Sequence, residues 1–311
     1  MSSELIPVSA VVPTRNRAAS FRRMLESLAQ QSSQALEIIC IDASDDSATK
    51  EVVDAVFGGL QSHLVWKKAA VIGAATQRNQ GVGAATQPFV WFFDDDIRFE
   101  PNCVQRLWNA INSDRQLGGV NAMIINQRYQ TPGAISQLMF TLMHGRAGES
   151  FAGKVIGPAI NLLPEDSAYL PEVVPVEWLN TTCTIYRRET LPDPPFDEYF
   201  TGYSMMEDVA LSLRATQAGW KLANVRTARI FHNSQTADYK SEVSARGAME
   251  LQNRHYIMSK ILRKDRFTDY LRLALWELFS IASTCTSPIG RRTLPRLIAG
   301  KFRAACRLRV Q

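Results

Sequence analysis

The stretch FVWFFDDDIRFEP (residues 89–101) joins an apolar run to three consecutive carboxylates, and it decides how the rest of the chain is interpreted. Its first five residues are apolar on both faces, as in a strand buried at the centre of a parallel sheet. The acids follow where that strand ends, and Pro101 can open the next helix. The stretch therefore predicts a buried strand with acidic side chains at its carboxyl end.

Alternating strand and helix patterns surround this stretch. Three further strands are predicted, at LIPVSAVVP (5–13), LEIICID (36–42) and HLVWKKA (63–69). Helical spacing of apolar residues is found in SFRRMLESLAQ (20–30), SATKEVVDAVFGGL (47–60) and CVQRLWNAI (103–111). Because such alternation forms βαβ units, we predict an α/β fold with a Rossmann-like, mostly parallel sheet flanked by helices. Sheets of this kind bind ligands at the carboxyl ends of their strands, where the acids lie.

The composition indicates a globular protein of 311 residues, 46% hydrophobic and 21% charged, with one catalytic-size domain and an appendage. Its five cysteines lie far apart without a C-x-x-C pair, which favours neither a disulfide framework nor a zinc knuckle. We interpret the N-terminal apolar residues as a first strand and not as a signal peptide. A reducing, cytoplasmic setting is therefore expected.

The basic residues concentrate at the C-terminus. Seven lie in a tail without acids: Arg291, Arg292, Arg296, Lys301, Arg303, Arg307 and Arg309. The other 28 basic residues stand against 30 acidic ones, so the body has a formal charge of −2 within a total of +5. A nucleic-acid-binding body would spread basic residues over a broad face, so we expect no nucleic-acid partner.

The acidic run predicts a cation site. In an extended segment Asp94 and Asp96 point to one side and Asp95 to the other. Two carboxylates roughly 5–6 Å apart repel by about 3 kcal/mol at an effective dielectric near 20, so a compensating cation is expected. Mg²⁺ or Mn²⁺ holding a diphosphate suits oxygen ligands. The alternative is a solvated acidic turn.

A second pair of acids lies in MMEDVALSLRATQAGW (205–220), whose apolar spacing predicts a helix ended by Gly219. Glu207 and Asp208 fall in its first turn. Acids there also stabilise the helix dipole, and that is the structural alternative to a catalytic role.

Five stretches taken together carry a resemblance to a known family: VVPTRNR (11–17), IICIDASDD (38–46), QRNQG (77–81), FFDDD (92–96) and MMEDVALSLRATQAGW (205–220). In order and spacing the set resembles the inverting family 2 glycosyltransferases of the GT-A fold. The resemblance covers roughly residues 5 to 235. It implies transfer of a sugar from a nucleotide-diphosphate sugar, and a site built on the quoted motifs.

The resemblance implies five donor-side residues. Pro13, Thr14 and Arg17 would lie against the nucleotide. Asp42 would accept a hydrogen bond from the base, although the usual D-D-G-S run is absent after it. Arg78 would bind the nucleotide or its phosphates, with an ordinary ion pair as the alternative.

FFDDD resembles the family's D-x-D motif. Asp94 would face the ribose or the metal, and Asp96 would bind the ion, with Asp95 as a substitute because the register is open. Many enzymes of the fold add a histidine as a third ligand, which here implicates His232. The alternative for His232 is a packed, hydrogen-bonded residue.

The family's general base corresponds to Asp208, which would remove the acceptor hydroxyl proton while Glu207 orients the acceptor. The reaction would be a single displacement that inverts the anomeric centre. Trp178 and Asn180 lie in the place of the acceptor-side segment, although Trp178 also suits a core position.

The resemblance implies a hexosyl- or deoxyhexosyltransferase, and two absences favour transfer of one sugar per encounter. Processive synthases of the family carry a Q-x-x-R-W motif, and none of the six tryptophans here follows an arginine. The longest apolar stretch, from Tyr270 to Ile281, is too short to span a bilayer of about 30 Å.

We predict a GT-A catalytic domain over residues 1–240, with the nucleotide-sugar half at about 1–100 and the acceptor half at about 101–240. Residues 241–311 are predicted to form a helical extension. Its last helix has a basic amphipathic pattern that suits an anionic membrane surface at the inner face of the plasma membrane. If the helix lies on the membrane, a lipid-linked glycan is the expected acceptor. The alternatives are a packed appendage and a homodimer contact.

Two rival functions remain open. A metal-dependent nucleotidyltransferase also needs paired acids, but VVPTRNR lacks the expected Gly-rich phosphate loop. A catalytically silent nucleotide-sugar-binding module would keep the donor pocket without a working base.

Overall fold

The computed structural model describes residues 3–55, 59–147, 150–202, 204–234 and 242–308. It divides into two compact units, the first formed by residues 1–129 and 163–235 and the second by residues 130–162 and 236–311. The domain boundary predicted at residue 240 lies outside the described residues and stays a prediction. Residues 130–162, predicted to lie in the acceptor half, belong to the second unit.

The first unit contains a central sheet. Its strands are β1 (Glu4–Thr14), β2 (Ser33–Asp42), β3 (His63–Lys68), β4 (Phe89–Phe93), β5 (Ile97–Phe99), β6 (Leu117–Ile124), β9 (Val173–Val176), β10 (Cys183–Arg187) and β11 (Lys221–His232). Within the described ranges the nine strands are ordered β3-β2-β1-β4-β10-β6-β11-β5, with β9 paired to β11. Strands β5, β9 and β10 run antiparallel to their neighbours and the other six share one direction. The predicted α/β class with a mostly parallel sheet is confirmed.

Helices flank this sheet at α1 (Ala18–Leu28), α2 (Ala48–Asp54), α3 (Ala74–Ala84), α4 (Cys103–Ser113) and α6 (Glu207–Gln217). The predicted apolar stripe of α1 is fully buried, at Phe21, Met24, Leu25 and Leu28. Residues 90–93 of β4 are also fully buried, as the opening stretch predicted. Each such side chain contributes about 1.5–3 kcal/mol by leaving water, so the apolar pattern holds the helices on the sheet.

The sheet register places three functional stretches at one edge. Thr14 at the end of β1 pairs with Asp42 at the end of β2, and Val11 pairs with Phe92 of β4. The acids that follow β4 therefore emerge beside Thr14. Helix α3 packs tightly on β1, since a Cβ atom at Gly81 would lie 2.2 Å from Val11 Cγ1. That close approach requires glycine and brings the start of α3 to the same edge.

The second unit contains helix α5 (Ala134–His144), the short pair β7 (Val155–Ile156) and β8 (Ile160–Asn161), and the C-terminal helices α7 (Val243–Tyr256), α8 (Phe267–Thr284) and α9 (Pro288–Leu308). A one-turn π-helical segment, Ile257–Ile261, extends α7. Helices α7 and α9 approach closely, because a Cβ atom at Gly300 would lie 2.0 Å from the Ser244 carbonyl oxygen. The predicted C-terminal helical appendage is confirmed.

A group of four charges, three of them buried, joins the C-terminal helices. Arg254 lies 3.0 Å from Glu250 and 3.3 Å from Glu277, and Lys301 contacts both acids. The two positive and two negative charges cancel, which makes their burial tolerable. Among the described residues, no helix combines the length and apolar composition that a membrane span requires.

Candidate active site

The three consecutive acids point to different partners. Asp95 is buried and accepts a hydrogen bond from Thr14 Oγ1 at 2.6 Å. Arg17 Nη1 lies 3.2 Å from an oxygen of Asp95 and 3.2 Å from an oxygen of Asp96. Burial raises the pKa of Asp95 to about 7, although the Arg17 charge opposes the rise. Arg17 and Thr14, predicted to lie against the nucleotide, thus hold the acidic turn in place.

Asp94, Asp96 and His232 form a group that could hold a metal ion. Each offers one ligand atom, and these atoms lie within 4.8 Å of one another. The two carboxylates suit Mg²⁺ or Mn²⁺, and an imidazole is a ligand more typical of transition metals. The donor set therefore fits the predicted cation, and the structure places all three predicted metal ligands together.

His232 is held in position from both sides of its ring. Its Nε2 atom lies 3.1 Å from Asp96 Oδ1, and its Nδ1 atom lies 3.3 Å from Gln127 Nε2. The Asn126 side chain bonds to both the N–H and the carbonyl of His232, at 3.1 and 2.9 Å. A histidine anchored in this way keeps a fixed ring orientation, which a metal ligand needs.

Arg78 joins the two acidic motifs. Its terminal nitrogens donate to Asp94 and to Glu207, each at 2.8 Å, and its side chain is 4% exposed. Burial alone would lower the pKa of Arg78, but the surrounding carboxylates raise it above its ordinary value. Because these acids engage both terminal nitrogens, binding of Arg78 to phosphate stays a prediction.

Helix α6 presents Glu207 and Asp208 at its first turn. Met206 precedes it in the left-handed region, at a φ of 70°, which turns the chain sharply into the helix. Asp208 Oδ1 accepts from the Val209 N–H at 2.8 Å. Burial raises the pKa of Glu207, and the Asp208 charge raises it further. Burial likewise raises the pKa of Asp208, which Arg78 and the backbone N–H partly offset.

Asp42 lies at the predicted edge but is fully buried. Its two carboxylate oxygens accept from the Ser44 N–H at 2.8 Å and from Trp66 Nε1 at 3.1 Å. Pro13 lies beside it, paired with Ile41 in the sheet. Hydrogen bonding of Asp42 to a nucleobase stays a prediction, since both oxygens already have protein partners.

The predicted acceptor residues lie next to these groups. Trp178 and Asn180 are buried, at 6% and 8% exposure. The Leu179 N–H donates to Ser212 Oγ of α6 at 2.9 Å, and the Thr182 carbonyl accepts from the Asp94 N–H at 3.2 Å. The segment therefore connects both acidic motifs. The burial of Trp178 agrees with the alternative that it is a core residue.

Sequence reasoning missed several residues that support the site. Asn126 and Gln127 follow β6 and hold His232, and Trp66 reaches Asp42 from β3. Gln77 donates to the carbonyls of Thr14 and Ile41, at 3.1 and 2.7 Å, and so joins the ends of β1 and β2. Only Gln77 lay within a quoted motif; the others have no local signal because their contacts depend on the fold.

The sequence is also similar to known proteins. Residues 9–147 match the family model described as Glycosyl transferase family 2. A curated relative from Mycobacterium tuberculosis, N-acetylglucosaminyl-diphospho-decaprenol L-rhamnosyltransferase, is 23% identical over 294 residues, which cover 89% of this chain and 90% of the relative.

Solved structures show the same fold. The mannosyltransferase PcManGT from Pyrobaculum calidifontis, in complex with GDP-Man and Mn²⁺, superposes with a TM-score of 0.57 at 14% identity and covers 96% of this chain and 87% of that one. S. aureus TarS residues 1–349, in complex with UDP-GlcNAc, gives a TM-score of 0.54 at 17% identity over 95% of this chain and 79% of that one. The GT-A fold predicted from the sequence is confirmed.

Proposed function

Because the chain belongs to glycosyltransferase family 2 and is a glycosyltransferase, we propose that it moves one sugar from a nucleotide-diphosphate sugar to a hydroxyl of a glycan or lipid-linked glycan. One observation carries this proposal. Arg78 connects Asp94 of the candidate metal group to Glu207 beside the candidate base, so the two motifs form one site. The candidate metal group, where the donor would bind, is thereby next to the candidate base Asp208.

The donor half of the site lies at the ends of β1, β2 and β4. Asp94, Asp96 and His232 would hold Mg²⁺ or Mn²⁺, which when bound neutralises charge on the departing nucleotide diphosphate. Thr14 and Arg17 hold the acidic turn through Asp95. Pro13 and Asp42 lie beside it at the ends of β1 and β2. These residues position the diphosphate end of the donor.

Asp208 would serve as the general base. Its raised pKa brings the carboxyl closer to neutral pH, where it can take a proton from the acceptor hydroxyl while remaining largely ionised. The attacking oxygen bonds to the anomeric carbon as the bond to the diphosphate breaks, which inverts that centre. Glu207 is held by Arg78 and would orient the acceptor or the loop before α6.

The relatives support a narrower acceptor class. The Mycobacterium tuberculosis relative is named for rhamnosyl transfer to a lipid diphosphate, and we extend a lipid-linked acceptor and a hexosyl or deoxyhexosyl donor to this chain. Trp178 and Asn180 would line the acceptor side through their connection to Thr182 and α6. Work on such an acceptor would place the protein in the cytoplasm, at the inner face of the membrane.

A thermal-shift panel tests the donor assignment. Wild type and Asp96→Asn are melted with UDP-, GDP-, dTDP- and CMP-sugars, each with and without Mn²⁺. Ligand at about 100 times its Kd stabilises a protein by about 2.7 kcal/mol, so one donor class should raise the wild-type Tm by several degrees in a Mn²⁺-dependent way. Asp96→Asn should lose that dependence. Stabilisation of neither protein by any donor would contradict the proposal.

A further inference from the structure

The two units carry opposite charge. The first unit has 18 basic and 23 acidic residues, a formal charge of −5. The second has 17 basic and 7 acidic residues, a formal charge of +10. The whole excess of positive charge therefore belongs to the second unit.

The same unit exposes most of the large apolar side chains. Sixteen are exposed among the described residues, and ten of these belong to the second unit: Ile135, Leu138, Leu142, Phe267, Tyr270, Leu271, Leu278, Ile289, Ile298 and Phe302. That unit holds 109 of the 311 residues, so the exposed apolar side chains are concentrated there. Such a concentration marks an interaction surface.

These side chains follow helical spacing. On α8, Phe267, Leu271 and Leu278 stand four and seven residues apart, with exposures of 82%, 49% and 64%. On α5, Ile135 and Leu138 are more than 70% exposed and Leu142 lies one turn further. Each helix thus exposes an apolar stripe beside its buried residues.

Helix α9 adds the positive charge next to its own apolar residues. Arg291, Arg292 and Arg296 are exposed, and the helix contains no acid. Phe302, at 68% exposure, lies six residues beyond Arg296. Exposed aromatic and aliphatic side chains interspersed with arginines are what a helix lying in the headgroup region of a membrane needs.

We propose that the exposed stripes of α5, α8 and α9, called here the basic apolar face, dock on a bilayer surface rich in anionic phospholipid. The apolar side chains would enter the headgroup boundary while the arginines pair with phosphates. A second copy of the chain is the poorer occupant, because a symmetric contact would bring two faces of the +10 unit together. This surface does not depend on the proposed transfer activity.

Vesicle co-sedimentation tests the proposal on the full-length protein. Phosphatidylcholine vesicles with and without phosphatidylglycerol are compared at low and high salt. Wild type should sediment with the anionic vesicles only, and salt should weaken the binding by screening. An equal partition into neutral vesicles, or none into anionic ones, would overturn the proposal.

Matched variants separate charge from apolar contact. A surface arginine contributes about 1 kcal/mol, or about five-fold in partition, so Arg291→Gln with Arg296→Gln should bind about 25-fold more weakly. Arg23→Gln with Arg115→Gln removes two exposed charges from the first unit and should bind as wild type. Phe302→Gln should bind the vesicles about ten-fold more weakly, since roughly 1.4 kcal/mol of apolar transfer free energy is lost. Tyr169 is fully exposed in the first unit, and Tyr169→Gln should bind as wild type.

Two further outcomes would overturn the proposal, and two controls accompany them. Equal losses in the target and control variants would overturn the proposal, as would a wild-type dimer that Phe302→Gln dissociates without any vesicle binding. Retained far-UV circular dichroism and a retained Mn²⁺-dependent donor shift show that the variants are folded. Asp208→Asn should sediment with vesicles as wild type does. Vesicle binding can therefore be tested even if the protein proves not to transfer sugar.

Discussion

Replacing Arg78 by Gln removes the guanidinium that pairs with both acidic motifs and should destabilise the first unit strongly. The guanidinium is 4% exposed and donates at 2.8 Å to both Asp94 and Glu207, and Glu207 itself is 8% exposed. Breaking a buried ion pair by deleting one partner costs about 3–5 kcal/mol, because the other charge stays buried and unpaired. At about 2–4 °C per kcal/mol for a unit of this size, Tm should fall by about 10 °C.

The size of this loss should depend on pH. Without Arg78 the pKa of Glu207 rises further above its unfolded value. A carboxyl with a raised folded pKa keeps its full stability contribution below the unfolded pKa and loses it as pH rises through the folded pKa. Because the pKa of Glu207 is already about 8 in wild type, both proteins should lose stability alike between about pH 5 and pH 7, and the difference in Tm between wild type and Arg78→Gln should grow above about pH 8.

Thermal melts across that range measure the effect, with two comparison variants. Arg128→Gln breaks an ion pair to Asp166 in which the arginine is 47% exposed, and it should cost less than about 1 kcal/mol. Arg78→Gln combined with Glu207→Gln should recover part of the loss, because the stranded carboxylate is gone. A loss below about 1 kcal/mol for Arg78→Gln, or one independent of pH, would mean that Arg78 does not stabilise a buried charge at Glu207.

Three further predictions concern the same edge. Because the pKa of Asp208 is raised, Asp208→Asn should raise Tm, and by more at about pH 8 than at about pH 5, in melts of both proteins. Gln127→Ala should weaken Mn²⁺ binding by about 10–100-fold in calorimetry, because it frees the His232 ring, with Gln116→Ala as the exposed control. Trp66→Phe removes the Nε1–H donor to buried Asp42 and should cost about 1–3 kcal/mol in chemical denaturation.

Each of these predictions has a contradicting result. A Tm gain for Asp208→Asn that is equal at both pH values would mean that the carboxyl has an ordinary pKa. Unchanged Mn²⁺ affinity in Gln127→Ala would show that Gln127 does not orient His232 for metal binding. A Trp66→Phe variant as stable as wild type would show that Asp42 finds another donor.

The elements with strong local patterns were predictable. The burial of β4 and the apolar face of α1 followed from side-chain periodicity alone. The start of α6 at Glu207 and its end before Gly219, which has a φ of 94°, followed from first-turn acids and glycine chemistry. These features are decided within a few residues, so a sequence pattern can specify them.

Contacts between distant segments were not predictable. Arg78 and Glu207 are 129 residues apart, and nothing local shows that one guanidinium lies between two acidic motifs. The alternation rule put Asp95 opposite its neighbours, but only the packing of β1 shows that Thr14 and Arg17 engage it. Likewise, residues 130–162 joined the helical unit through tertiary contacts that carry no sequence signature.

The most direct test of the central claim compares donor binding with turnover in wild type and Asp208→Asn. Donor affinity is measured by calorimetry with Mn²⁺, and sugar release or transfer is measured under the same conditions. Asp208→Asn should keep its donor affinity and lose turnover by at least about 100-fold, since a positioned general base contributes about 10²–10⁴-fold. Equal turnover in the two proteins would contradict this role of Asp208, as would a wild type that binds donor and never transfers sugar.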